Sequence, residues 1–245
     1  MIQTLDIKYA EPKECLLDVY LPNNSSSAPV YVYFHGGGIE GGSRNIGKKI
    51  PEYFTNNGII FVSVEYRMYP EAKFPEYIID CANAVKFIIN KFKNSKIIVG
   101  GSSAGAYLAM MLYFDKKYFA DIDTSCIKGY IFDAGQPTSH FNYLKYDKKV
   151  DPRCVLIDEG APLYYLRSNF SQEEPHLFFI SSEHDMTNRL NQHHVLLTAM
   201  KQFKFPEEKL LFKVYENESH CSYLNKDFFL KDSLNFINKA TGENK

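Results

Sequence analysis

The sequence predicts an α/β protein: a mostly parallel central sheet with helices on both faces. Two observations carry this. Short runs rich in β-branched and aromatic residues alternate along the 245-residue chain with segments of helical spacing, the order that produces parallel strands joined by crossover helices. One of these runs, "KIIVGG" at 96–101, passes without a loop into "SSAGAYLAMMLYF", which is apolar nearly all round, as a helix central to such a sheet must be.

The elements follow in order. Residues 2–9 and 15–21 read as two strands, a hairpin at the sheet edge, and "PNNSSSAP" (22–29) as a polar loop. "VYVYF" (30–34) and "GIIFVSVEY" (58–66) read as buried strands. Residues 75–93 place Ile78, Ile79, Ala82, Val85, Phe87, Ile88 and Ile89 on one broad helical face. Strand 96–101 and its helix come next, then strands at 128–135, 176–182 and 210–216, a helix near 187–202 between the last two strands, and a closing amphipathic helix at 227–239. No repeat or linker divides the chain, so a single domain over 1–245 is expected. The long irregular stretch 136–175 reads as a small cap or lid insertion.

Composition narrows the function classes. A formal net charge of −1 favours neither nucleic acid nor an anionic membrane. No apolar stretch approaches 18 residues, so no membrane span is expected. Cys15, Cys81, Cys126, Cys154 and Cys221 are scattered with no CxxC pair, which points to free thiols and no zinc site. The N-terminal segment does not have the pattern of a signal peptide, so a cytoplasmic setting is expected. The N-x-S sequences at Asn23, Asn24, Asn169 and Asn217 then carry no weight. A homodimer stays open.

Three patterns carry chemistry. Gly101-Ser102-Ser103-Ala104-Gly105 is a G-x-S-x-G where a strand meets a helix, the setting of a sharp turn that exposes a nucleophilic Ser103. Gly101 and Gly105 flank the turn at near-contact distance and must be small, and Ser102 reads as a packing or hydrogen-bonding neighbour. "HGGG" at 35–38 follows a buried strand. Neither a GxxxxGK[ST] nor a helix-opening GxGxxG accompanies it, which disfavours a phosphate cradle. The remaining reading is an oxyanion hole built from the N–H groups of Gly36, Gly37 and Gly38 with that of Ala104. His35 is expected to hold the loop, while Gly41 and Gly42 let it turn back.

A serine nucleophile needs a base and an orienting carboxylate. Among seven histidines, His220 lies just past the last strand, at the same sheet edge as Ser103. His193 and His194 sit in a helical pattern and read as a solvated face; His176 opens a strand; His140, in the lid, could only touch substrate. For the carboxylate, Asp185 follows a core strand and precedes His220, with Glu183 and Asp133 as rivals. No metal and no cofactor is required by this set.

With these residues in place, the chain resembles the hormone-sensitive-lipase-like and feruloyl/acetyl-esterase-like branch of the α/β-hydrolases over about residues 15–225. "HGGG", "VEYRMYPEAKFPEYIID" (64–80) and "GGSSAG" carry the resemblance, with Tyr66, Arg67, Pro70, Glu71, Phe74, Pro75 and Asp80 at scaffold positions of the branch. Kynurenine formamidases are similar too. Ser102 stands where lipase-like members usually carry Asp, and Ile39 where many carry an aromatic. The resemblance implies an α/β-hydrolase fold and cleavage of short-chain carboxylic esters, with a small-molecule acyl ester, or a formamide, as substrate. Alternatives are an arylformamidase-type amidase, a small peptidase, or an inactive ligand-binding homologue. The lid offers Phe141, Tyr143, Leu163, Tyr164 and Tyr165 either as pocket walls or as ordinary packing, and "KYDKK" reads as a solvated face.

Overall fold

A computed structural model describes residues 1–23 and 27–243; Asn24 and part of the polar loop at 22–29 lie outside the described residues. Eight strands form one sheet: β1 (Ile2–Lys8), β2 (Leu16–Leu21), β3 (Val30–Phe34), β4 (Ile60–Val64), β5 (Ile97–Ser102), β6 (Ile127–Asp133), β7 (His176–His184) and β8 (Leu210–Ser219). Their order across the sheet is β1-β2-β4-β3-β5-β6-β7-β8. The β1–β2 and β2–β4 pairs are antiparallel and every pair from β4 to β8 is parallel. This is the α/β-hydrolase fold.

Side chains alternate across a strand, so each face builds its own core. Val30, Val32 and Phe34 of β3 join Val99 and Phe179 on one face, under α2 (Glu76–Lys91), α3 (Ala104–Phe114) and α5 (Arg189–Gln202). Tyr31 and Tyr33 join Ile98 and Phe178 on the other, under α1 (Lys49–Asn56) and α6 (Asp227–Thr241). β3 and β5 are buried over their full length because both faces are covered.

Two departures from expectation concern elements. α1 was not anticipated: Ile50, Pro51, Phe54 and Thr55 are its buried residues, and its eight residues make only about two turns, too brief for periodicity to stand out. β8 runs on to Ser219 rather than ending at 216; its register with β7 shifts between Ser182 and His184, and His184 then pairs with Ser219.

The stretch 136–175 carries one turn of helix, α4 (Phe141–Tyr143), a wider turn at Leu144–Lys148 and a 3-10 turn at Pro162–Tyr165. It is tied to the body: Tyr107 of α3 donates to Gly160 O (2.8 Å), and Tyr143 and Leu144 are buried. Two lysines of its basic run are paired, Lys148 with Asp158 and Glu159 and Lys145 with Glu40.

Candidate active site

The sheet register assembles the site. Ser102 pairs with Asp133, so Ser103 leaves β5 at the tip of β6 and donates its N–H to Asp133 O at 2.7 Å. The turn into α3 puts Ser103 at φ 54°, ψ −115°, a conformation that a non-glycine residue holds only when its surroundings over-determine it. They do here. A Cβ on Gly105 would lie 2.0 Å from Phe34 O, and one on Gly101 would lie 2.7 Å from Gly105 C, so helix and strand meet at van der Waals contact.

On the far strands, His184 pairs with Ser219, and the next residue on each, Asp185 and His220, emerges beside the other. With its proton on Nδ1, His220 donates to Asp185 Oδ1 at 2.6 Å and accepts at Nε2 from Ser103 Oγ at 2.8 Å. Asp185 also accepts from Met186 N–H (2.7 Å) and from the Ser182 hydroxyl (3.2 Å). Burial alone would push the Asp185 carboxyl up. The hydrogen bond and charge of His220 and the Met186 N–H outweigh it and hold the carboxyl below its ordinary value. The structure thus brings together the three residues that the sequence singled out.

It also places the rivals. Glu183 accepts from Asn217 N–H (2.8 Å) on β8 and makes no bond to His220. Asp133 is 1% exposed beneath the nucleophile and accepts from Tyr223 OH at 2.6 Å. Burial pushes its carboxyl up to about 6, against the opposing pull of Ser102 and Tyr223. Ser102 is buried and accepts from Tyr33 OH (3.0 Å), the hydrogen-bonding part expected of it.

Two histidine expectations are corrected. His193 is fully buried rather than on a solvated face: it hydrogen-bonds Ser181 Oγ (2.6 Å) and Gly135 O (2.8 Å), and burial with the nearby Arg189 charge lowers its pKa to about 4. Helical periodicity does not mark it because a lone polar residue on a buried face looks like a residue of the polar face. His140 does not face substrate; it is 1% exposed, lies between Tyr107 and Phe141, and caps α4 by accepting from Asn142 N–H. His194 is exposed, as expected.

The glycine loop is held by its carbonyls. His35 O accepts from Tyr66 OH (2.7 Å), Gly36 O is bound by His35 Nδ1 (2.7 Å), and Gly37 O accepts from Glu40 and Gly41 N–H (3.1 and 3.0 Å). In a trans peptide each carbonyl points opposite to the N–H that follows, so the N–H groups of Gly36, Gly37 and Gly38 turn away from these partners. Gly37 has φ +119°, and a Cβ there would lie 2.0 Å from Gly41 O, so only glycine closes this turn. His35 stacks on Tyr66 at 4.5 Å and reaches Glu65 through Nε2 at 2.8 Å, the loop-holding part expected of it.

Gly36, Gly37, Gly38, Ser103 and His220 line an open cleft of about 720 Å³. Of the aromatic residues in the stretch 136–175, Phe141 reaches this cleft; Tyr143 is buried against Phe74 and Tyr164 is exposed. Sequence reasoning missed Met186 and Leu224, which complete the walls, and Asn142, whose amide donates to Gly38 O and to Glu40 Oε2 (2.7 Å). The adjacency of Met186 to Asp185 was the one available signal. Among the described residues no group of three or more His, Cys, Asp or Glu side chains has metal-holding geometry, and no helix is long and apolar enough to cross a membrane.

Comparison with known proteins agrees with the fold. The BD-FAE family model matches residues 17–140. Kynurenine formamidase of Danio rerio is 33% identical over 113 residues, covering 45% of this chain and 39% of that protein. Probable carboxylesterase 1 of Arabidopsis thaliana is 33% identical over 138 residues, covering 46% of this chain and 43% of that protein. The match therefore spans less than half the length of either relative. Esterase B of Lactobacillus rhamnosis superimposes with a TM-score of 0.79 at 13% identity, over 99% of this chain and 86% of that one.

Proposed function

Because the chain belongs to the BD-FAE family of α/β-hydrolases, we propose that it is a serine hydrolase cleaving short-chain carboxylic esters through an acyl-enzyme. The observation that carries this reading is the continuous hydrogen-bonded chain Ser103–His220–Asp185 opening onto a cleft lined by three glycines. Ser103 Oγ attacks the ester carbonyl while His220 Nε2 takes its proton. Asp185 keeps the ring proton on Nδ1 and stabilises the imidazolium. The oxyanion is held by the N–H groups of Gly37, Gly38 and Ala104, the last reinforced by the positive end of α3. Gly36 sets the spacing, since a Cβ there would lie 3.3 Å from Ser103 Cβ. His220 then protonates the departing alkoxide, and water, activated by the same ring, hydrolyses the acyl-enzyme.

A second reading has one observation in its favour: the Danio rerio relative is a kynurenine formamidase. The same residues would cleave a formamide, with His220 protonating a poorer leaving group. Purified protein tested on p-nitrophenyl acetate, butyrate and octanoate and on N-formylkynurenine separates the two. Acetate and butyrate are expected to turn over fastest, and turnover on the formamide alone would select the second reading. Ser103→Ala, His220→Ala and Asp185→Asn should each lose on the order of 10⁴-fold in kcat. Hydrolysis that survives Ser103→Ala rules out the nucleophile.

A further inference from the structure

Asp133 ends β6 directly beneath the nucleophile. Its backbone O accepts from Ser103 N–H (2.7 Å), and Ser102 pairs with it across the β5–β6 register. Its side chain accepts from Tyr223 OH (2.6 Å), and Tyr223 stands on the loop just after His220. Tyr223 is itself held, with its ring 4.7 Å from that of Tyr215 on β8 and 5.5 Å from that of Phe229 on α6. One carboxylate thus joins the strand tip that seats Ser103 to the loop that presents its base.

Holding Tyr223 does not by itself call for a charge. An asparagine of the same shape would accept from the same hydroxyl, and burying an amide costs less than burying an ion. Asp133 Oδ2 makes no hydrogen bond among the described residues, and burial pushes the carboxyl up to about 6. At pH 7.5 the chain therefore keeps a buried negative charge that Ser102 and Tyr223 offset only in part. The charge of His220 also pulls this carboxyl down, while Asp185 pushes it up. Such coupling is reciprocal: what the imidazolium does for the carboxylate, the carboxylate does for the imidazolium.

The other groups around Asp133 hold their charge state between pH 5 and 8. Burial keeps Tyr31, Tyr33, Tyr215, Tyr223 and Cys221 protonated. Asp185 stays below its ordinary value despite burial. Arg189 at the start of α5 remains a cation, bonded to Ala134 O and Gln136 Oε1.

We propose that Asp133 is a second carboxylate of the site, a positioning residue that is tied through Tyr223 to the His220 loop and whose negative charge stabilises the His220 imidazolium as Ser103 attacks. This rests on the serine-hydrolase reading above and adds to it a charge that Asp185 does not supply.

The test compares wild type with Asp133→Asn, which keeps the acceptor for Tyr223 and removes the charge, on p-nitrophenyl acetate from pH 8 to pH 5. At pH 8 the variant should lose on the order of tenfold in kcat/KM. By pH 5, where the wild-type carboxyl has taken a proton, the two should agree to within about twofold. A folding defect does not imitate this pattern, because relief of the buried charge makes the variant relatively most stable at pH 8, where its activity falls furthest short. A loss equal at both pH values, or no loss, overturns the proposal and leaves the hydrolase reading standing. Should Asp133→Asn not fold, the carboxyl's own titration decides, followed by 13C NMR in aspartate-labelled Ser103→Ala protein. Its midpoint should move to higher pH when His220→Gln is added; an unmoved midpoint overturns the proposal whether or not the wild type is a hydrolase. A moved midpoint in a protein that turns over neither ester nor formamide upholds the Asp133–His220 coupling and overturns only the hydrolase reading.

Discussion

His193 gives the sharpest stability prediction. It lies at the sheet–helix seam that carries Asp185, held neutral by burial with a pKa of about 4 against about 6.5 in the unfolded chain. A folded-state pKa below the unfolded value means that the unfolded chain binds more protons between the two. Stability from this group is therefore complete above pH 6.5 and is lost as pH falls toward 4. The difference of 2.5 units corresponds to about 3 kcal/mol. Asp133 works in the opposite sense: its pKa of about 6 against about 3.8 makes the fold favour the protonated carboxyl, so stability declines as pH rises from 4 to 6. The two slopes oppose each other, which makes the wild-type curve uninformative and the variants decisive. His193→Gln should leave a protein whose urea midpoint relative to wild type improves steadily from pH 6.5 to 4.5, and Asp133→Asn one whose relative stability worsens over the same range. With no Trp in the chain, far-UV circular dichroism is the readout. A wild-type-minus-His193→Gln difference that stays flat between pH 4 and 6.5 refutes the argument that His193 is buried uncharged.

Three further perturbations probe the site's supports. Gly105→Ala places a Cβ 2.0 Å from Phe34 O, so it should cost several kcal/mol, roughly 3 or more, and abolish the proposed esterase activity; a folded protein of wild-type Tm contradicts the elbow geometry. Tyr223→Phe strips the buried Asp133 of its 2.6 Å donor and should cost about 1–3 kcal/mol at pH 7.5, with a smaller loss at pH 5 where the carboxyl is protonated; equal losses at both pH values in urea titrations speak against it. Asn142→Ala frees Gly38 O and Glu40 and should lower kcat about tenfold with little change in KM, because the glycine N–H groups lose alignment only where the oxyanion forms. A KM effect alone would show that Asn142 contacts substrate instead.

What the sequence alone determined about this protein is local. The glycines of "HGGG" and the tight turn around Ser103 were legible because each is demanded by steric limits within a few residues: a positive φ at Gly37 and Ser103, a 2.0 Å approach at Gly105. The strands and long helices were legible because burial on both faces of a parallel sheet writes itself into composition and period. The choice among Asp185, Glu183 and Asp133 was not local. It depended on how β7 pairs with β8, and on the register shift after Ser182 that sets His184 against Ser219, which lines up residues 35 positions apart. Only the tertiary structure brings Asp185 within 2.6 Å of His220, as only packing turns His193 inward and buries Arg189 against Ala134 and Gln136. Hydrogen bonds and charge pairs between distant segments exist only once the sheet has aligned them, so their partners have no signature along the chain.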